Sequence, residues 1–541
     1  MGSQVISRRD FLRVAGFGSA ALLLGRPLEA IGLGSPSRSP MPSFAPDAEI
    51  SLTATDKRMQ ILPGAQTRVY SYEGQLLSGS GVTVEPVPGS YLGPVLRVKS
   101  GTKLRIYFHN NLMEDSVIHP HGPLVPEDCA GHPMQAIGPG QTKVYEFEVI
   151  DRAGPYWFHP HPHMRTSEQV MMGLAGLMHV WDAEEEMAVP GASTGAHDVP
   201  VVIQDRAFDQ NNQILYQPNM MWGFLGDRIL VNGMPNAVFS LEPRAYRLRL
   251  LNGSNARTYK LAWSNGMPLQ VIGTDGGLLA AAVSRNYVML MPGERVDVWA
   301  DLSSLAGQQV ILRSLAFEAG GMGMMGGMGG MGGMRGMGMM GSMSGMGNTS
   351  GMGMMGGMGG FAMGAAFDIL TVNVGNKATV KPVLGPLPAL SVRYDVGNVP
   401  NYTTPRPFTL SMGHMMTWTL NGRVFEMEAV AEDEKVNLDE TMAWEWINYS
   451  PIPHPMHVHN VQFQVVQRTA PASSSYGTIN QGFVDSGWKD TVQVWPGERV
   501  KVAMKFGPHT GMYMYHCHIL EHEDMTMMRN YMIMDAAMPG M

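Results

Sequence analysis

Cysteine is nearly absent from this 541-residue chain, which has only Cys129 and Cys517. A disulfide-stapled scaffold is therefore excluded. Positive charge is in deficit: the net charge is −8 and the pI about 6.1. No basic stripe runs along the chain, which excludes nucleic acid as a partner. Long apolar runs are missing as well. Nothing from Asp47 onward is long enough to cross a bilayer, so no membrane span is expected in the mature protein. Sustained helical periodicity is scarce. The one apolar run near the start, Val14–Leu24, follows Arg8-Arg9 and is too short to span. Twin arginines before such a run read as a Tat-type export signal, which places the mature protein in the periplasm or outside the cell. Residues 1–46 are assigned to this signal and a Ser/Pro-rich tether.

What fills the rest is short β-branched and aromatic runs broken by Gly, Pro and Asn turns, the pattern of antiparallel β-sandwiches. Pro139-Gly140, Pro292-Gly293 and Pro496-Gly497 each open an alternating strand, Val144–Val149 and Val500–Phe506 among them. Gly154-Pro-Tyr-Trp-Phe-His159-Pro-His161 is echoed by Gly511-Met-Tyr-Met-Tyr-His516-Cys-His518. Each stretch reaches its first histidine 20 residues beyond its Pro-Gly, at 139 to 159 and 496 to 516. Matched spacing of this kind predicts duplicated domains. The expected division is an all-β chain of three consecutive sandwiches, 47–185, 190–385 and 388–541.

The chemistry concentrates at the end of the chain. His516-Cys517-His518 is followed by His522 and Met527. A thiolate, imidazoles and a weak thioether are the donors of a blue-copper site. On a strand, residues two apart share a face, so His516 and His518 point one way and Cys517 the other. One strand can then serve two metal sites. Three further motifs carry paired imidazoles: His119-Pro-His121, His159-Pro-His161, and His457-Val-His459 preceded by His454. With His522, these account for ten of the 17 histidines. A lone His-x-His is usually a chance surface pair, but four of them with a central cysteine are not.

These motifs resemble those of the multicopper oxidases, the family of laccases and cuprous oxidases. The resemblance implies three cupredoxin-like Greek-key domains and four copper ions. Type 1 copper would be held by His454, Cys517, His522 and Met527, and type 2 by His119 and His457. The type 3 pair would take His121, His159 and His516 on one ion, and His161, His459 and His518 on the other. If Cys517 is a ligand, no intrachain disulfide can form, and Cys129 reads as a buried small hydrophobe. Glu523 matches a proton-relay carboxylate of the family. Asp128, in Glu127-Asp128-Cys129-Ala130, is the candidate for a second relay acid, although this stretch departs from the family's Asp-Gly. His163 is read as a supporting or surface residue. The middle domain has no ligand motif and is expected to act as a spacer, with the cluster between the first and third domains.

That middle domain holds a segment, Gly321–Met363, with 16 methionines, mostly beside glycine. It interrupts a hairpin expected from Val310–Ala316 and Phe367–Val374. One reading is a low-complexity linker. The other, favoured by the choice of methionine, is a brush of thioethers that selects Cu(I). The Asp-x-Met-x that cuprous oxidases place before the first type 1 histidine is replaced here by Ser450-Pro-Ile-Pro453. Met412, Met415, Met416, Met525 and Met528 are other soft donors, though such residues are more often packing. The expected function is oxidation of Cu(I), with phenols or other metal ions as alternative reductants, coupled to reduction of O2 to water in copper tolerance. The competing readings are a copper-storage protein without turnover and a two-domain copper nitrite reductase.

Overall fold

The structure, a computed structural model, describes residues 6–7, 44–319, 361–377, 382–390, 392–471, 473 and 475–535. The methionine-rich stretch 321–360 and nearly all of the export signal lie outside these residues. Strands dominate. In the first sandwich, Thr67–Gly79, Ala48–Met59, Lys103–Asn110 and Thr142–Glu148 form one sheet. Val82–Glu85, Val95–Lys99, Gly176–Trp181, Gly154–Pro160 and Ile118–His121 form the other. The third sandwich has one sheet built on Thr441–Asn448 and Arg499–Lys505. Its other sheet runs Lys435–Asn437, Met528–Met534, Gly511–Cys517, His454–Val458, Thr491–Val494. Between them in sequence lies a seven-stranded sheet centred on Ala245–Asn252 and Arg295–Asp301. It packs on a second sheet in which Gln309–Ser314 pairs antiparallel with Phe367–Val374, the hairpin that the methionine-rich stretch interrupts. No helix among the described residues is long and apolar enough to cross a membrane.

Period-two alternation builds the cores. In Ala48–Met59, residues Ala48, Ile50, Leu52 and Ala54 point inward; in Lys103–Asn110, Leu104, Ile106 and Phe108 do. Each large apolar side chain so buried contributes roughly 1.5–3 kcal/mol. One contiguous hydrophobic cluster runs through the first and third sandwiches, and a second fills the middle one. Arg97 of the first sandwich reaches Asp198, which also accepts from Arg247, tying the first sandwich to the second through buried charge.

The three Pro-Gly turns are the same device. In each, the residue after glycine donates to the carbonyl three positions back: Gln141 to Gly138, Glu294 to Met291 and Glu498 to Trp495. Gly140, Gly293 and Gly497 have φ of 76°, 83° and 73°, the left-handed value required at the third position of a type II turn. Each glycine N–H donates to the backbone carbonyl of a buried asparagine: Asn110, Asn252 or Asn448. The amide of that asparagine in turn holds two backbone carbonyls at 2.8–2.9 Å. These are Glu114 and Ile137, Arg257 and Leu290, or Ile452 and Val494. Its side-chain oxygen accepts from the N–H two residues on. Asn110→Ala is expected to strand the partners of one such amide and to lower stability by about 1–3 kcal/mol for each group left unpaired. The denaturant midpoint reads this, and an unchanged midpoint would remove the asparagine from the framework.

Candidate metal centre

Strand pairing aligns the histidines. His119 is the cross-strand partner of His159 in the first sandwich, and His457 of His516 in the third. These strands are buried on both faces because the two sandwiches meet there. His119 Nε2 lies 3.4 Å from His457 Nε2, His161 Nε2 3.4 Å from His516 Nε2, and His459 Nε2 3.1 Å from the same atom. His121 Nδ1 lies 3.4 Å from His159 Nε2.

The outward nitrogens have partners of their own. Nδ1 of His119 donates to Ala130 O at 2.7 Å, that of His457 to Asp490 O at 2.8 Å, and that of His159 to Pro160 O at 2.9 Å. Each bond fixes the tautomer and turns the Nε2 lone pair inward. Burial, with neighbouring imidazoles adding to it, holds His159 down to about 3; burial likewise brings His161 down to about 4. Those two rings are therefore neutral. Ring nitrogens converging at 3.1–3.4 Å in a buried seam fit a cluster of cations. Nδ1 of His161 and of His459, and both nitrogens of His518, have no protein partner.

The third-sandwich strand turns its next residue to the other side. Cys517 Sγ lies 3.4 Å from His454 Nδ1 and 3.7 Å from His522 Nδ1. His454 Nε2 contacts Ser450 Oγ at 2.7 Å, and His522 Nε2 donates to Met221 O at 3.0 Å, which leaves both Nδ1 lone pairs facing the sulfur. Met527 is fully buried beside them, and its carbonyl accepts from the Cys517 N–H at 3.0 Å. Burial raises the Cys517 thiol well above its ordinary value, so a thiolate there calls for a bound cation.

The grouping of His516 and His518 differs from the expected one. His161, His459 and His516 form one set of close donors, while the His518 ring centroid lies 4.9 Å from that of His121 and 5.2 Å from that of His159. Register is the reason. His516 is still in the strand, opposite His457, and faces His459. His518 has left it, and its N–H is bound by Pro455 O at 2.7 Å.

Of the two acids, Glu523 is buried between His161, at 3.3 Å, and His516, at 3.1 Å. Asp128 is exposed on a short 3-10 turn, and the structure does not bring it to the histidines. The second buried carboxylate that touches them is Asp490, 3.0 Å from His121 Nε2. Sequence reasoning missed it because His121 and Arg295, which it joins, lie 369 and 195 residues away. His163 is exposed against Phe425, and Cys129 is buried in the first core. The middle sandwich is more than a spacer: Met221 caps His522, and Arg295 pairs with Asp490.

Three β-sandwiches bearing a cysteine–histidine group beside an eight-imidazole cluster define a copper protein of cupredoxin type. Residues 69–185 and 400–537 each match the family described as multicopper oxidase. A multicopper oxidase of Staphylococcus epidermidis is 30% identical over 446 residues, covering 81% of each chain. A cell division protein, FtsP, of Xenorhabdus nematophila is 27% identical over 528 residues, 96% of this chain and 97% of that one. The crystal structure of a multicopper oxidase from the hyperthermophile Aquifex aeolicus aligns with a TM-score of 0.71 at 30% identity, covering 91% of this chain and 97% of that one. The chain belongs to the multicopper oxidase family, oxidoreductases that use O2.

Ser450 orients His454 through the outer ring nitrogen. Ser450→Ala is expected to weaken metal retention at the cysteine group roughly 10–100-fold. Chelator competition followed by the metal–thiolate absorbance measures it, and equal resistance in variant and parent would deny Ser450 that role.

Proposed function

We propose that this chain is an exported, laccase-like oxidase that takes single electrons from Cu(I), with phenols and other metal ions as lesser reductants, and reduces O2 to water in copper tolerance. The observation that carries the reading is the position of Cys517. It faces His454 and His522 on one side, while its sequence neighbours His516 and His518 stand in the eight-imidazole cluster. Four coppers fit these donors. His454, Cys517, His522 and Met527 would hold type 1, and His119 and His457 type 2. One type 3 ion would take His121, His159 and His518, the other His161, His459 and His516. Bound copper supplies the one-electron chemistry and the O2-binding centre.

The chain's own groups do the rest. The Cys517 carbonyl accepts from His516 Nδ1 at 3.1 Å, which gives a bonded route of a few atoms between the two sites. Glu523, buried against His161 and His516, is placed to pass protons inward. The tightly packed seam excludes bulk water. Residues 47–185, 190–385 and 388–541 are the three domains of this scheme, and the twin-arginine segment would export the folded protein to the periplasm or beyond.

Soft-donor entry is supported at the outer side of His522. Met221 supplies the carbonyl that caps it, and the adjacent Met220 is 51% exposed. Phe361, which follows the methionine-rich stretch, donates to Gly226 O at 3.2 Å, so that stretch rejoins the chain at the same loop. The methionines also favour the second reading, copper storage without turnover. Oxygen uptake with Cu(I), Mn(II), Fe(II) and a phenol separates the two: no uptake with any donor would leave storage.

Three outcomes are expected. Fully loaded protein should hold four coppers and be blue. Cys517→Ser should lose the blue colour and turnover while keeping the other three ions, because a hydroxyl is a poor substitute for a thiolate. Retained colour, or one to two coppers in the parent, would refute the assignment. Replacing 321–360 with a short Gly/Ser turn should preserve copper content and raise KM for Cu(I) more than for a phenol. Equal proportional losses on both substrates would reduce the stretch to a linker.

A further inference from the structure

Arg295 belongs to the middle sandwich, which contributes no histidine to the cluster. It is 1% exposed, and its guanidinium grips both oxygens of Asp490, Nη1 to Oδ1 at 2.7 Å and Nη2 to Oδ2 at 2.6 Å. The remaining guanidinium donors go to the carbonyls of Pro155, Gly293 and Asp275, at 3.0, 3.0 and 3.1 Å. Asp490, in the third sandwich, accepts from His121 Nε2 of the first through Oδ1, at 3.0 Å, and from His457 Nδ1 through its backbone carbonyl, at 2.8 Å. Both histidines are thereby turned so that their other nitrogens face the cluster.

The next positions repeat the linkage: Lys489 Nζ reaches Asp275 at 3.1 Å and Glu294 at 3.2 Å. The turn that aims Arg295 is itself pressed on the site. A Cβ at Gly293 would lie 2.9 Å from the His518 ring, and one at Gly122 would lie 2.6 Å from Asp490 Oδ2.

A carboxylate beside two imidazoles is itself a metal-binding group, and His121, His457 and Asp490 have ligand atoms within 4.8 Å of one another. The fork of Arg295 occupies both carboxylate oxygens, in the bidentate geometry for which guanidinium is suited and ammonium is not. We propose that Arg295 is a positioning residue for the copper cluster: it holds Asp490 as a hydrogen-bond acceptor for His121 and keeps it from becoming a competing ligand. The middle sandwich thus shapes the O2-reducing site without supplying a histidine to it. This rests on the copper assignment above, which the copper count of the parent tests separately.

The experiment uses full-length, copper-loaded protein as parent, Arg295→Met, Arg295→Lys and the double variant Arg295→Met/Asp490→Asn. Read-outs are copper per chain after dialysis against a chelator, the electron paramagnetic resonance of the cluster coppers, the blue absorbance, and KM and kcat for one reductant. Arg295→Met should keep the blue absorbance and KM within about twofold, because Arg295 does not touch the cysteine group. Its kcat and chelator resistance should fall roughly tenfold or more, with an altered cluster resonance. Arg295→Lys should recover part of this loss. The double variant should be no worse than Arg295→Met, since the two residues act as a unit. Unchanged resonance and kcat in Arg295→Met would overturn the proposal, as would blue absorbance and kcat falling in proportion. If Arg295→Met does not fold, Arg295→Lys decides: an unchanged resonance there would overturn it equally.

Discussion

Two imidazole nitrogens pointed at each other repel unless a proton or a cation lies between them. His119 and His457, His161 and His516, and His459 and His516 are held in that way at 3.1–3.4 Å, inside a seam that lowers the basicity of His119 and His459 by burial. Everything around them opposes that repulsion. Antiparallel pairing locks His119 to His159 and His457 to His516. Backbone carbonyls of Ala130, Pro160 and Asp490 take the outer N–H groups of His119, His159 and His457, so none of these three rings can rotate without stranding a buried donor. The sandwiches serve chiefly as rigid backing for a few strand ends.

One local device is used three times for different ends. The asparagine-anchored Pro-Gly turn closes a sheet edge in the first sandwich. In the middle sandwich the same turn delivers Arg295 to Asp490. In the third, Asn448 anchors the loop whose Ser450 orients His454. Duplication supplied the scaffold, and single side chains on it diverged.

The clustering of the histidines and Cys517 was legible because metal chemistry demands particular side chains and strands demand period two. Four His-x-His pairs and the cysteine between His516 and His518 leave few other meanings. The three sandwiches were legible from the Pro-Gly echoes. The grouping of His516 with His161 and His459 was not, because it depends on where the strand ends and which residue faces His457, a matter of register. Asp128 sat at the expected distance from the first pair, yet its turn faces solvent, and near His119 the backbone carbonyl of Ala130 does the bonding. Besides Glu523, a second carboxylate at the cluster comes from Asp490, 369 residues beyond His121, and its counter-ion from a sandwich with no ligand motif. Contacts of such range leave no local pattern.

Asp490 joins all three sandwiches: His121 from the first, Arg295 from the second, and its own chain in the third. A metal held at this junction binds only a chain whose three parts have already docked. By linkage it stabilises the docked state by RT ln(1 + [metal]/Kd), about 2.7 kcal/mol when the metal stands at a hundred times its Kd. Copper bound there would be a structural clasp as well as a reagent, and scarcity of the ion would loosen the junctions between the sandwiches before it disturbed any one of them.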